Sequence, residues 1–305
     1  MENHHAKNRK RKPPARHYNP YISLANESGN NDKKGGTGNE PELPAHDCQR
    51  SPLISQLSSE TIEGRNAVLE AVRAGVAIDK VFIAKGETDS ALRHIASTVR
   101  EAGAAVVEAD RRKLDSMSAT NAHQGVIAVA ACADFSTIGD ILEKARLKGE
   151  KPLVIICDEI SDPHNLGAII RTCEAAGGHG VIIPKRRSAG LGATVAKASS
   201  GAVYHTPVAR VANITAAIAE LKKAGLWIYG ASAGGSTPLW EADFSDAAAL
   251  VIGSEGTGIS RLVSENCDFH VSIPMFGKIS SLNASVSAAV LIYEAVRQRA
   301  LRGAS

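Results

Sequence analysis

Aromatic residues are scarce in this 305-residue chain, at 4%, with two tryptophans, and methionine occurs three times. Long apolar runs are missing: no stretch approaches the roughly 18 residues that a membrane-spanning helix needs. The N-terminus carries basic residues with no apolar segment behind them, so no secretory signal is expected there. Cysteine is limited to Cys48, Cys132, Cys157, Cys173 and Cys267, an odd number and never a C-x-x-C pair. That pattern argues against a disulfide framework and against zinc, and for reduced thiols in a cytoplasmic protein. No metal site and no membrane partner are expected. Internal repeats are absent. So are G-x-G-x-x-G and Walker sequences, which leaves dinucleotide and nucleoside triphosphate sites without their usual signatures.

What is present is unevenly distributed. Residues 1–20 hold Lys7, Arg9, Lys10, Arg11, Lys12 and Arg16 against Glu2, a net of +5 in a chain whose total is +3. The remaining residues therefore sum to −2, and any nucleic acid must be met through local basic patches rather than a generally basic body. The tail itself has two readings, a salt-sensitive phosphate binder or a solubilising leader.

Residues 1–58 are rich in Asn, Gly, Lys, Pro and Ser without periodicity, and are expected to be disordered. A small α/β module is expected over 59–132. It has a helix over 64–74 with Val68, Leu69 and Val72 on one face, strands at 81–84, 105–107 and 125–130, and helices at 90–102 and 111–117. Residues 133–151 read as a linker, partly helical, containing an amphipathic stretch. From 152 to 305 strands and helices alternate: strands at 153–156, 180–183, 205–211, 226–231, 249–252 and 269–273, with helices near 164–176, 194–200, 214–224, 258–265 and 282–301. Pro163 suits the first position of its helix. The alternation predicts a mostly parallel sheet covered on both faces. The last helix carries a stripe of Val286, Ala289, Val290, Tyr293 and Val296, expected to be its packed face.

Three loops at strand ends carry the chemistry, where open α/β sheets bind ligands. The first is Asp162-Pro163-His164-Asn165-Leu166-Gly167-Ala168-Ile169-Ile170-Arg171. The second is Gly253-Ser254-Glu255-Gly256-Thr257-Gly258. The third runs Ile273-Pro274-Met275-Phe276-Gly277-Lys278-Ile279-Ser280-Ser281-Leu282-Asn283-Ala284-Ser285 and opens the last helix. Glycines permit close backbone approach to a ligand, and a helix start offers unpaired N–H groups.

The ordered set N-x-G-x-x-x-R, GSEGTG and IPM-x-G-x-x-x-SLN-x-S resembles the three signature motifs of the SpoU, or TrmH, branch of the SPOUT methyltransferases, over residues 153–301. Residues 61–131, with Glu63-Gly64-Arg65-Asn66 and His123-Gln124-Gly125, resemble the small ribosomal-protein-like substrate-binding domain that precedes it. Ala284 departs from the Val that many relatives carry. The resemblance is nearest to bacterial 23S rRNA guanosine 2′-O-ribose methyltransferases. It implies a trefoil-knotted catalytic domain, a homodimer, and S-adenosylmethionine held largely by backbone groups. It implies 23S rRNA as the partner, with methyl transfer to a guanosine 2′-hydroxyl in the peptidyl-transferase region.

Carried over residue by residue, Gly253, Ile273 and Leu282 match the positions whose backbone surrounds the cofactor, with Ser254, Gly258 and Met275 beside them. Arg171 matches the family's catalytic arginine. A guanidinium pKa above about 12 suits an anchor for phosphate and developing alkoxide better than a base. Asn165 either orients Arg171 or the ribose, or caps its helix. Glu255 either orients Arg171 and the glycine loop or braces that loop. Ser281 caps the last helix or joins the site, and Asn283 fits hydroxyl positioning better. Lys185, Arg186, Arg187 and Lys197 form a basic cluster read as an RNA contact, against a merely solvated loop. Arg65 either touches RNA or serves the surface of its helix. His164 reads as structural, and Trp227 and Trp240 as packing or interface residues. Rival functions are a tRNA guanosine 2′-O-methyltransferase and a noncatalytic rRNA-binding or assembly factor.

Overall fold

The computed structural model describes residues 61–86 and 89–303, so the disorder expected for 1–58 lies outside the described residues. The first domain is a four-stranded sheet of β1 (Thr61–Glu63), β2 (Ile78–Ala84), β3 (Ala105–Ala109) and β4 (Val126–Ala130), in the order β1-β4-β2-β3. β4 pairs antiparallel with β1 and β2, while β2 and β3 are parallel. Helices α1 (Arg65–Arg73), α2 (Ser90–Glu101) and α3 (Arg111–Met117) connect the strands. Val68 is fully buried on the face that the spacing predicts, with Leu69 and Val72 half-buried around it. Asp89 caps α2 by accepting from the Ala91 N–H at 2.9 Å.

The partly helical linker expected over 133–151 contains one ordered helix, α4 (Ile138–Leu147). Thr137 and Asp140 close a capping box, the Thr137 Oγ1 accepting from the Asp140 N–H at 3.1 Å and Asp140 accepting from the Thr137 N–H at 2.7 Å. Ile138 and Ile141 are buried against the second sheet, so the helix belongs to that domain's core.

That sheet has seven strands: β5 (Leu153–Cys157), β6 (Gly180–Pro184), β7 (Val208–Val211), β8 (Trp227–Ala231), β9 (Thr237–Pro238), β10 (Ala248–Ile252) and β11 (Phe269–Ser272). Their order is β7-β6-β5-β10-β8-β11-β9, and every pairing is parallel. Side chains alternate between two cores. Leu153, Ile155 and Cys157 of β5 face one core with Leu250 and Ile252 of β10. Val154 and Ile156 face the other with Ala249 and Val251. The first core is covered by α5 (Pro163–Ala175), α6 (Ala193–Ala198) and α9 (Ala284–Gly303), the second by α4, α7 (Ile214–Lys223) and the short α8 (Arg261–Glu265). Burial on both faces explains the continuous apolar runs, and each buried Leu or Ile contributes roughly 1.5–3 kcal/mol. Burial also keeps the thiols of Cys157 and Cys173 inert: desolvation raises both, Cys173 to about 12.

The last helix departs from expectation. Its core-facing residues are Ala284, Ala288, Leu291, Ile292 and Ala295. In the expected stripe Val286 is 47% and Tyr293 51% exposed, with Val290 and Val296 half-buried at its edge. The helix therefore carries two adjacent apolar faces, and the small residues of the first let it lie close to the sheet. Arg299 pins the helix end, donating to the carbonyls of Lys151, Pro152, Phe244 and Asp246 at 2.7–3.2 Å.

Candidate active site

The carboxyl ends of β5, β8, β10 and β11 open on one side of the sheet. The loops that leave β8, β10 and β11 enclose a cavity of about 480 Å³. Its walls are Ala231 to Gly234 after β8, Ile252 to Ile259 after β10, and Ile273, Met275, Ser280, Ser281 and Leu282 after β11. All six residues expected at the cofactor, Gly253, Ser254, Gly258, Ile273, Met275 and Leu282, line it, as do Glu255 and Ser281.

The glycine loop is a closed turn. The Ser254 N–H donates to the Gly258 carbonyl at 3.1 Å, and the Gly258 N–H returns to the Ser254 carbonyl at 2.9 Å. Gly258 has a φ of 68°, where a side chain is strained. A Cβ on Gly253 would sit 2.1 Å from the Gly258 carbonyl carbon, so no other residue fits there. Asp158, buried just after β5, accepts from the Ser260 N–H at 2.7 Å and fixes the far end of the loop.

The three motifs meet through three side chains. Asn165, buried in the first turn of α5, donates its amide to Glu255 Oε1 at 2.9 Å. Asn283 donates to Asn165 Oδ1 at 3.0 Å and also to Glu255. The Asn283 Oδ1 accepts from the backbone N–H of Ser285 at 2.9 Å and of Val286 at 3.3 Å, so Asn283 caps α9. Two expectations change. Asp162, not Asn165, caps α5, accepting from the His164 N–H at 2.9 Å. Asn283 takes the capping role that Ser281 was offered, and its amide is committed to Asn165 and Glu255. His164 is exposed on the first turn of α5.

Arg171 stands apart from this trio. It is exposed and donates to Ser200 Oγ at 2.9 Å, so the orientation by Asn165 or Glu255 considered from sequence is not the arrangement found. The glycine of N-x-G-x-x-x-R accounts for the contact: a Cβ on Gly167 would sit 2.5 Å from the Ala198 Cβ. The close crossing of α5 and α6 that Gly167 allows carries Ser200 to Arg171.

The basic cluster lies at the surface. Arg186 and Lys197 are exposed, and Lys185 is half-buried, its pKa drawn down by desolvation. Arg187 pairs with Glu159 at 2.9 Å while 80% exposed. Arg65 lies in the first domain, bonded to Asp89 and, through Nε, to the Gln124 carbonyl at 3.1 Å. It braces the turn before β4. Sequence reasoning missed Asp158 and the Ser232–Gly234 wall. A carboxylate directly after a strand and the Ser232-Ala233-Gly234-Gly235 run were the signals available.

Residues 152–293 match the model of the SpoU rRNA Methylase family, and residues 61–135 match that for RNA 2′-O ribose methyltransferase substrate binding. YacO of Bacillus subtilis, assigned to the TrmH family of tRNA/rRNA methyltransferases, is 43% identical over 77% of this chain and 94% of its own. The chain belongs to the SpoU methylase family. It is accordingly an RNA methyltransferase with its substrate-binding domain ahead of its catalytic domain. An uncharacterised tRNA/rRNA methyltransferase of Mycobacterium avium is 42% identical over 89% of this chain and 92% of its own. The solved structure of the SpoU methyltransferase AviRb from Streptomyces viridochromogenes aligns with a TM-score of 0.51 at 27% identity, covering 79% of this chain and 90% of that one. AviRb has also been crystallised with AdoMet.

Proposed function

We propose that this SpoU family member methylates a ribose 2′-hydroxyl of RNA, with a guanosine of 23S rRNA in the peptidyl-transferase region as its target. The observation that carries this reading is the Asn165–Glu255–Asn283 cluster, which ties all three motifs together beside the glycine-walled cavity. A volume of about 480 Å³ suits a nucleoside-sized ligand. The walls fit S-adenosylmethionine: close backbone at Gly253, hydroxyls from Ser254 and Thr257, and apolar side chains from Ile273, Met275 and Leu282. When bound there, that cofactor supplies a methyl already activated as a sulfonium. The protein is left to orient the hydroxyl and manage its proton.

Glu255 is the carboxylate on the cavity wall, and two amides hold one of its oxygens. We assign it the acceptor role for the hydroxyl proton. Arg171, free of the cluster and steadied by Ser200, anchors a flanking phosphate and offsets alkoxide charge. Asn165 and Asn283 position Glu255 and the loops. The exposed Arg186, Arg187 and Lys197 track the RNA backbone, with Lys185 beside them.

The same reading includes a knotted passage of the chain and a homodimer. Crowding of backbone on backbone supports the first: a Cβ on Gly235 would lie 2.7 Å from the Val271 carbonyl carbon. The second apolar face of α9 supports the dimer, together with Trp240 and Phe276, exposed at 56% and 90% with parallel rings 6.5 Å apart. Mapping 2′-O-methylation across 23S rRNA and tRNA in cells lacking the protein tests the target. Loss of one 23S guanosine mark is the expected result. An intact rRNA map with a missing tRNA mark assigns the enzyme to tRNA instead.

A further inference from the structure

The two domains are joined by a buried charged contact that the catalytic chemistry does not use. Arg210 lies on β7, the edge strand nearest the substrate-binding domain, and its side chain is 9% exposed. Its guanidinium Nη1 donates to the Asp79 carbonyl at 2.9 Å and reaches Asp79 Oδ1 at 3.4 Å. Nη2 donates to the carbonyls of Ile78 at 3.2 Å and Gly103 at 3.1 Å. The face of the fork lies 3.7 Å from the Phe135 ring centroid. All the acceptors belong to the first domain. A lysine, with a compact ammonium, cannot reproduce this fork.

Asp79 faces the second domain in turn. Its carboxylate, 8% exposed, packs so closely on Gly190 that a Cβ there would sit 1.7 Å from Oδ1. Next to it, Lys80 donates to the Ser188 carbonyl at 3.1 Å, and the Cys132 N–H donates to the Leu191 carbonyl at 2.6 Å. Ser188, Gly190 and Leu191 belong to one loop, 185–192, whose first residues are Lys185, Arg186 and Arg187. The Lys185 N–H is fixed to the Val211 carbonyl at 2.8 Å, one residue from Arg210. The substrate-binding domain is thus keyed to the loop that begins with the basic cluster.

Domains joined by small polar interfaces ordinarily move against each other. A buried ion pair adds little net stability, but it admits one geometry, because any displacement leaves a desolvated charge unpaired. We infer that Arg210 and Asp79 are positioning residues for methyl transfer: they hold the substrate-binding domain at a fixed reach from the catalytic cavity, so that one folded RNA engages both. The inference rests on the RNA methyltransferase reading above.

The test compares wild type with an Arg210→Met, Asp79→Asn double variant, which removes both charges and leaves none orphaned. The probe is in vitro-transcribed 23S rRNA, with S-adenosylmethionine affinity read by calorimetry and domain spread by small-angle X-ray scattering. The variant is expected to raise the KM for RNA about ten-fold or more, to leave kcat at saturating RNA and cofactor affinity within about two-fold, and to scatter as a larger particle. An unchanged KM with an unchanged scattering profile overturns the inference. Loss of cofactor binding also overturns it, because the pair is then a brace of the catalytic fold. If the wild-type enzyme leaves the transcript unmethylated, the proposed substrate fails, and the scattering comparison alone decides whether the pair locks the domains.

Discussion

The amide of Asn165 donates to Glu255 Oε1 at 2.9 Å, across ninety residues of sequence. One residue starts α5 and the other sits in the glycine loop that lines the cavity. The bond therefore couples a helix outside the cavity to the shape of its wall. Asn165→Ala is expected to weaken S-adenosylmethionine binding about ten-fold, the effect of one lost buried hydrogen bond to a charged group. Calorimetry checks this. A variant that loses thermal stability alone, with unchanged cofactor affinity, shows that Asn165 is only a structural residue of its helix.

Arg171 donates to Ser200, and among the described residues no hydrogen bond or ion pair ties it to Asn165, Glu255 or Asn283. Arg171→Ala should therefore fold, bind the cofactor like the wild type, and lose at least about 10²-fold in methyl transfer. Single-turnover assays with saturating cofactor measure the loss. Turnover near the wild-type rate removes Arg171 from the mechanism.

Gly253 has no room for a methyl group. Gly253→Ala forces the Ser254–Gly258 turn to open, at a cost of roughly 1–3 kcal/mol. The melting temperature should fall, and the stabilisation normally added by S-adenosylmethionine should disappear. Thermal melts with and without cofactor separate the two effects, and a preserved cofactor shift contradicts this account of the loop.

His179 gives the fold an acid-sensitive point. Its ring is buried, Nδ1 accepts from the Leu153 N–H at 3.0 Å, and Nε2 faces Glu150 at 3.1 Å. Burial pulls its pKa down to about 4, against the partial opposition of Glu150. The unfolded chain binds this proton near pH 6.5 and the native state does not. Stability is therefore full above pH 6.5 and declines as pH falls toward 4, by on the order of 2–3 kcal/mol. Urea denaturation at a series of pH values measures the slope, and His179→Gln should flatten it.

Tyr293 is half-exposed on the second apolar face of α9. Tyr293→Arg is expected to leave the monomer folded, shift sedimentation from dimer to monomer, and lower activity. A monomeric wild type at micromolar concentration excludes the dimer.

The pattern of apolar positions made the elements legible. β5 and β10 are uninterrupted apolar runs because both faces are buried, and α5 opens at Pro163 behind the Asp162 cap. The Gly253–Gly258 wall was legible too, since glycine-rich loops after strands mark close backbone approach, whereas Ile273, Met275 and Leu282 came from the family resemblance and the Ser232–Gly234 wall was missed. Three features misled. The stretch over 133–151 read as a partly helical linker, yet its helix, started by the Thr137–Asp140 capping box, is packed into the second domain's core. The α9 stripe has correct helical spacing, yet spacing does not say which of two apolar faces meets the chain's own core. Ser281 and Asn283 are both capping residues by type, and only the start of the helix decides between them.

The sequence by itself determined the α/β class and the three motifs, and the resemblance those motifs carry named Gly253, Ser254, Gly258, Ile273, Met275 and Leu282 of the cavity wall. These depend on local spacing and residue type, which the chain carries everywhere. Tertiary structure alone decided that Asn165 serves Glu255 rather than Arg171, that Arg171 rests on Ser200, and that Arg210 reaches Asp79 in the other domain. Each is a contact between residues far apart in the chain. Such contacts are set by how helices cross and strands order themselves, and no local pattern encodes them.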